Sequence, residues 1–260
     1  MFEKAFVKLG ARVRIEESDR ISAPITIDIQ HDHRGEFYLL KRNANSPVDV
    51  TVLSVRPNDR HLLLMARVGN EKHKFLCGHD ERHWFVAAIP ESAPVSNVDQ
   101  AKAALKPTAV REREARAAIR EKHKNRRRNA AFVRQGEWFF VPKPELRVPE
   151  LMILKNEPLV RSRMGKPHYA EECYRSDGKM VYVSARAPEG LTEAEYQKLL
   201  QDEPSASRFP WRTMMRNPRV FVRGRISHPD HATVVLMDWH RVYMNTETEA
   251  KANAAVVFLD

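Results

Sequence analysis

The stretch REREARAAIREKHKNRRRNAAFVRQGEWFFVPKPE, Arg111 to Glu145, decides how the chain divides. Its first half, Arg111 to Arg128, is built from Glu, Ala, Lys and Arg, all good helix formers. Only Ala115, Ala118 and Ile119 offer an apolar stripe, so this helix is expected to bury little. Phe132, Trp138, Phe139, Phe140 and Val141 then return to a strand pattern. Alternation puts Trp138 and Phe140 on one face and Phe139 on the other, all expected in a core. Pro142, Pro144 and Pro149 follow, and this proline-rich run is the best boundary candidate in the chain.

Toward the N-terminus the pattern is β-rich. Ile25 and Ile27 alternate with polar neighbours, and Phe37 to Leu40, Val48 to Val55, His61 to Val68, Lys74 to Cys77 and Trp84 to Ile89 are further strand candidates. A helix is expected from Ser96, as cap with Asp99 three residues on, to Leu105, with Pro107 as its stop. Toward the C-terminus, Lys179 to Ala185 reads as a strand. Leu191 to Gln201 reads as a helix behind the capping box of Thr192 and Glu195. Arg219 to Ile226, Ala232 to Met237 and Trp239 to Asn245 read as a meander with turns at Ser227 to His231 and near Asp238. Thr246 and Glu249 can cap a last helix, while Ala254 to Leu259 suits a strand equally. The expected fold is α+β: two β-rich parts with antiparallel strands, residues 1–107 and 146–260, joined by the basic helix and aromatic strand of 108–145.

A phrase recurs. His31-Asp32-His33-Arg34-Gly35-Glu36-Phe37-Tyr38 resembles His79-Asp80-Glu81-Arg82-His83-Trp84-Phe85, and Gln135-Gly136-Glu137-Trp138-Phe139-Phe140 echoes its second half. Each copy is a polar turn feeding an aromatic-led strand. The small alphabet of turns and buried strands accounts for this more simply than duplication does.

The 260 residues carry 44 Lys and Arg against 34 Asp and Glu, a formal charge of +10 that favours polyanionic partners. The excess is clustered. Arg111, Arg113, Arg116, Arg120, Lys122, Lys124, Arg126, Arg127 and Arg128 face only Glu112, Glu114 and Glu121, a local net of +6. Such a segment can neutralise several phosphates at once, and the arginine fork suits phosphate oxygens. A nucleic-acid partner is therefore expected, RNA or single-stranded DNA being favoured by the nearby aromatics should any face outward. An acidic protein partner docked on the same segment is the alternative use of that charge.

The histidines suggest chemistry. His228, Asp230 and His231 surround Pro229, a density of titratable groups at a stiff turn that suits acid–base work or metal activation of water, as phosphodiester hydrolysis requires. His31 and His33 are candidates to join them. His240 is expected to stay apart, at the far end of the middle strand. Cys77, His79 and His83 form a second candidate group for a divalent metal, with the His spacing of zinc peptidases but Asp80 where those carry Glu. Adding His168 and Cys173 allows a structural zinc site. No phosphate-binding glycine loop or serine-hydrolase elbow occurs. No stretch approaches the roughly 20 apolar residues of a membrane span, and the N-terminus lacks a signal-peptide pattern. Both cysteines are therefore expected as reduced thiols in a cytoplasmic protein.

Overall fold

The structure, a computed structural model, describes residues 2–21, 23–160, 166–250 and 256–257. A short helix, α1 (Glu3–Lys8), precedes β1 (Val13–Ser18), β2 (Ile25–Asp32) and β3 (Gly35–Asn43). β2 and β3 form an antiparallel hairpin, and β1 lies parallel to β3 on its other side. β4 (Asp49–Arg56), β5 (His61–Val68), β6 (Glu71–Asp80) and β7 (His83–Ile89) make a second sheet, an antiparallel meander.

The run Leu62-Leu63-Leu64-Met65-Ala66 is apolar throughout because β5 is covered on both faces. Leu62, Leu64 and Ala66 pack with Phe6, Ile27, Tyr38 and Trp84 between the two sheets. Leu63 points the other way, with Leu76, Ala87 and Ile89, onto helix α2 (Val98–Ala104). The fully buried Tyr38 fastens the sheets together. Its hydroxyl lies 3.0 Å from the Gly78 carbonyl and 2.9 Å from that of Phe85, and donates to one of them at a time. Helix α2 starts one residue later than expected: the Asn97 side chain, not Ser96, accepts the Gln100 amide at 3.0 Å.

The single basic helix expected over Arg111 to Arg128 is not formed. Helix α3 (Thr108–Arg116) ends, the chain reverses at Ala118 with φ of 47°, and a one-turn α4 (Glu121–Lys124) follows. Ile119, the one large apolar residue of the segment, supplies the reason. The reversal brings it onto Phe132 and Phe139, where a continuous helix would leave it with only two alanines. Lys106 holds the two short helices together. It is buried, 2.8 Å from Glu114 of α3 and 2.7 Å from the Lys124 carbonyl of α4.

β8 (Val133–Gln135) and β9 (Trp138–Pro142) then form a hairpin. The remaining strands are β10 (Leu154–Leu159), β11 (His168–Ser176), β12 (Lys179–Ser184), β13 (Ala187–Leu191), β14 (Arg212–Arg216), β15 (Arg219–His228) and β16 (His231–Met244). A six-stranded sheet runs β10-β11-β15-β16-β9-β8, and β13-β12-β14 is a small separate sheet. The aromatic strand β9 thus belongs to the C-terminal sheet, ahead of the proline-rich run. Trp138 and Phe140 pack on one face with Val222, Ile226 and Leu236, and Phe139 on the other with Val110 and Phe132, so no face of β9 is left for stacking bases. Helix α5 (Glu193–Asp202) has the Thr192–Glu195 capping box.

The turn expected near Asp238 is absent, and β16 runs through it. Between the pairs Val222↔His240 and Gly224↔Leu236, β15 advances two residues and β16 four. The surplus is a bulge that turns Met237 outward to 83% exposure, so polar and exposed residues there mimic a turn signal. Thr246–Glu249 is a single 3-10 turn rather than a helix, and its Thr246 binds the carbonyls of Ala104 and Leu105. Residues 256–257 form β17, parallel to β2. The rest of the expected 254–259 strand lies outside the described residues. Among the described residues no helix is long and apolar enough to cross a membrane.

Truncating Trp138 to Ala should cost about 3–5 kcal/mol of stability. Urea unfolding checks this, and a wild-type midpoint would remove Trp138 from the core.

Candidate functional site

Four hairpin turns meet where the N-terminal sheets face the C-terminal one. The recurrent phrase supplies three of them: β2–β3 around His33, β6–β7 around Glu81 and β8–β9 at Gly136. The fourth, β15–β16, is His228-Pro229-Asp230-His231. Residues at or beside these turns, among them Glu36, His83, Gly136 and His231, line one cleft of about 720 Å³ together with Lys166 and His168.

The turns are clamped by charge. Glu81 sits at φ of 44°, a left-handed conformation rare outside glycine, which swings its carboxylate toward the C-terminal sheet. That carboxylate accepts the Ala232 amide at 2.6 Å and pairs with Arg127. Asp80 also pairs with Arg127, and with Arg134 at 3.1 Å. Arg82 donates to the Pro229 carbonyl at 3.3 Å.

Beside this clamp three imidazoles stack. Ring centres are 4.1 Å apart for His168 and His228, 4.8 Å for His228 and His231, and 5.5 Å for His168 and His231. Their nearest ligand atoms lie within 4.8 Å of one another, a spacing open to a shared metal ion. His168 is 2% exposed, and neither ring nitrogen has a hydrogen-bond partner. Burial, then the two neighbouring imidazoles, pushes it down to about 3. His231 is lowered by burial and by His228, against the pull of Glu81. Both rings are therefore neutral near pH 7.

Across the cleft His83 is half exposed and paired. Its Nδ1 lies 2.6 Å from Glu36, whose other carboxylate oxygen accepts the Trp84 amide at 2.9 Å. Holding a proton on Nδ1 leaves Nε2 as the basic nitrogen, 3.9 Å from Asp230. Asp230 in turn accepts Lys166 at 2.9 Å. Burial alone would raise its pKa, but the Lys166 hydrogen bond and charge hold it below the usual carboxylate range.

His228, Asp230 and His231 all reach the cleft, and His31 lines it too. His33 is exposed in its turn, and His240 lies on β16 opposite Val222, with Nδ1 2.8 Å from the Asp238 carbonyl. Cys77, His79 and His83 do not converge among the described residues. Cys77 is fully buried between the N-terminal sheets, where burial pushes its thiol well above the usual range. His79 pairs with Trp84 and His83 with Asp80, so the two occupy positions of opposite facing on the hairpin, although both border the cleft. Cys173 is buried in the separate C-terminal core, its thiol pushed up to about 11 by burial, so the two cysteines share no site. Of the basic segment, Arg111, Arg116, Arg120, Lys122, Arg126 and Arg128 are exposed, while Arg113, Lys124 and Arg127 are half-buried. Arg126 and Arg127 form one edge of the cleft. Glu36, Glu81, Lys166 and His168 complete the site without having been singled out together. Glu36 and Glu81 each sit inside the recurrent phrase, which was the available signal.

Compared with protein-family models, curated proteins and solved structures, the chain matches none.

His61 also lines the cleft, packed under Gly78, and burial pushes it from an ordinary 6.5 to about 4. The unfolded chain then binds the proton more readily. Stability should be complete above pH 6.5 and fall as pH drops from there to about 4, by at most about 1.4 kcal/mol per unit for this group. In His61→Phe the stability curve over that interval should be flatter. A slope equal to wild type in urea melts would exclude His61 as a source.

Proposed function

We propose that the protein binds nucleic acid along its basic segment and hydrolyses a phosphodiester in the histidine cleft. One observation carries the reading: the end of the basic segment, Arg126 and Arg127, is an edge of the same cleft that His83, His168, His228 and His231 line. A polyanion held by the exposed Arg120, Lys122 and Arg126 would present a backbone phosphate to those imidazoles without any further domain. Six of the nine cations of the segment are exposed, Arg116 among them being paired with Glu112. Arg127 is a different case, since its charge is taken by Asp80 and Glu81.

The chemistry follows from the Glu36–His83 pair. His83 Nε2 takes a proton from water as the water oxygen bonds to phosphorus. The Glu36 carboxylate, already on Nδ1, stabilises the imidazolium that results. The opposite phosphorus–oxygen bond breaks, and the departing oxygen takes a proton from solvent at the cleft mouth. Arg126 brings positive charge toward the phosphate oxygens. Because the β9 aromatics are in cores, stacking gives no ground for preferring a single strand to a duplex.

Binding to labelled single-stranded and duplex oligonucleotides should weaken steeply with salt. In an Arg120, Lys122, Arg126→Ala triple variant, the log–log slope should flatten by about 0.7 per lost contact on a single strand and about 0.9 on a duplex. Equal slopes would take the segment out of the interface.

His83→Ala should lower cleavage of a bound oligonucleotide by about 100-fold or more while leaving its affinity unchanged. Glu36→Gln should cause a smaller loss and alter the pH profile. Full activity in His83→Ala would reassign the base.

A further inference from the structure

We infer that His168, His228 and His231 bind one divalent transition-metal ion of the zinc class, with at least one coordination position open to the cleft. The site stands on its own geometry, and rests on the hydrolytic reading only for what the ion does there.

Three strands deliver the ligands: β11 gives His168, the end of β15 gives His228 and the start of β16 gives His231. His168 is the strongest sign of a missing partner. A buried imidazole normally has at least one nitrogen hydrogen-bonded, yet both of its nitrogens are unpartnered at 2% exposure. Gly136 shows where the nitrogens aim. A Cβ placed there would stand 2.8 Å from His231 Nε2 and 3.5 Å from His168 Nε2, so both atoms face the space that glycine leaves open. Gly136 also sits at φ of +56°, which suits glycine in its own right.

The hydrogen bonds assign the third ligand atom. His228 Nε2 lies 3.3 Å from the Lys166 carbonyl, which can only accept, so the ring carries its proton there. Its Nδ1 has the lone pair and now accepts the Asp230 amide at 3.1 Å. That nitrogen is the one to ligate, giving up the amide while Lys166 continues to fix the tautomer. His231 Nδ1 has no hydrogen-bond partner, its nearest carboxylate oxygen on Glu81 being 3.7 Å away, and Nε2 is assigned as ligand because it faces the space beside Gly136. The Lys166 carbonyl on the far nitrogen of His228 is a usual outer partner of metal-bound histidine.

The donor set chooses the metal. Three imidazoles with no thiolate favour zinc, copper, nickel or cobalt over magnesium or calcium, which prefer oxygen. The nearby carboxylates are engaged, Asp80 and Glu81 by arginine and Asp230 by Lys166. Three protein ligands leave a tetrahedral ion one position for water, the pattern of catalytic rather than structural zinc. Tetrahedral zinc at about 2.0–2.1 Å sets its ligand nitrogens roughly 3.3 Å apart. The rings, stacked with donors spread up to 4.8 Å, must turn and draw inward to bind it. Bound there, the ion would acidify a coordinated water.

The test uses untagged full-length protein without substrate. Zinc is titrated in by equilibrium dialysis, and cobalt(II) binding is followed by its visible absorption. Wild type should hold one ion per chain, with the intense visible bands of tetrahedral cobalt. His168→Ala and His231→Gln should each lose that ion, while His33→Ala, outside the cluster, should keep it. Circular dichroism identifies any variant that fails to fold, and the other then carries the comparison. Wild type with no ion at micromolar free zinc, or an ion retained by both ligand variants, overturns the site. If neither variant folds, the wild-type cobalt spectrum decides, with octahedral bands or none counting against three-imidazole ligation. An ion bound without any oligonucleotide cleavage leaves the site standing and overturns the hydrolytic reading. Cleavage by metal-free protein does the reverse.

Discussion

The arrangement of the cleft depends on the carboxylates of Asp80 and Glu81. They stand at the tip of one hairpin and reach Arg127, Arg134 and the Ala232 amide, all on the C-terminal side. An exposed ion pair contributes little, and a buried one must first overcome its own desolvation. This cluster sits between those limits: the two carboxylates are mostly screened from water, and the arginines are partly wet. It also satisfies a backbone amide that the β15–β16 turn would otherwise leave open. Its consequence is positional more than energetic. Once Glu81 is anchored on Ala232, His231 is next to it, Pro229 is under Arg82, and the basic segment ends at the cleft edge through Arg127.

The same dependence explains what the sequence made legible. Strands of the N-terminal part announce themselves because each side chain faces a known layer. The unbroken apolar run of β5 and the aromatic alternation of β9 are direct records of what covers them. The capping box of α5 is equally local. The basic helix misled because helix propensity is a local quantity, whereas the fate of Ile119 depends on Phe132 and Phe139 a dozen or more residues on. The bulge in β16 misled because exposure at Met237 looks the same in a turn and in a strand that carries extra residues. The first helix and β1 gave too little periodicity to be placed.

In the site, legibility followed sequence separation. His228, Asp230 and His231 stood out because one turn holds all three. His168 is 60 residues from His228 and becomes their neighbour only through the pairing of β11 with β15. Glu36 meets His83 across the joint between two sheets. The pairing of Cys77 with His79 and His83 followed from closeness along the chain, and a strand's alternation with burial separates what spacing alone had joined.

Two kinds of imidazole now share one cleft, and Asp230 keeps them distinct. Its amide serves His228 and its carboxylate faces His83, so it touches both groups. An unneutralised carboxylate there would favour a proton on the stacked rings, and the pull of Asp230 on His168 has that sign. Lys166 opposes it by taking the carboxylate at 2.9 Å, while burial and mutual repulsion lower His168 further. His168 and His231 therefore keep their lone pairs. Glu36 holds the proton of His83 on one nitrogen, as the Lys166 carbonyl does for His228, and leaves the other with its lone pair. Environment thus sets a largely buried stack of imidazoles apart from a half-exposed, carboxylate-paired one within a single cleft. The arrangement needs all four hairpins in place, and this makes the clamp at Glu81 a condition for the cleft and for the proposed chemistry.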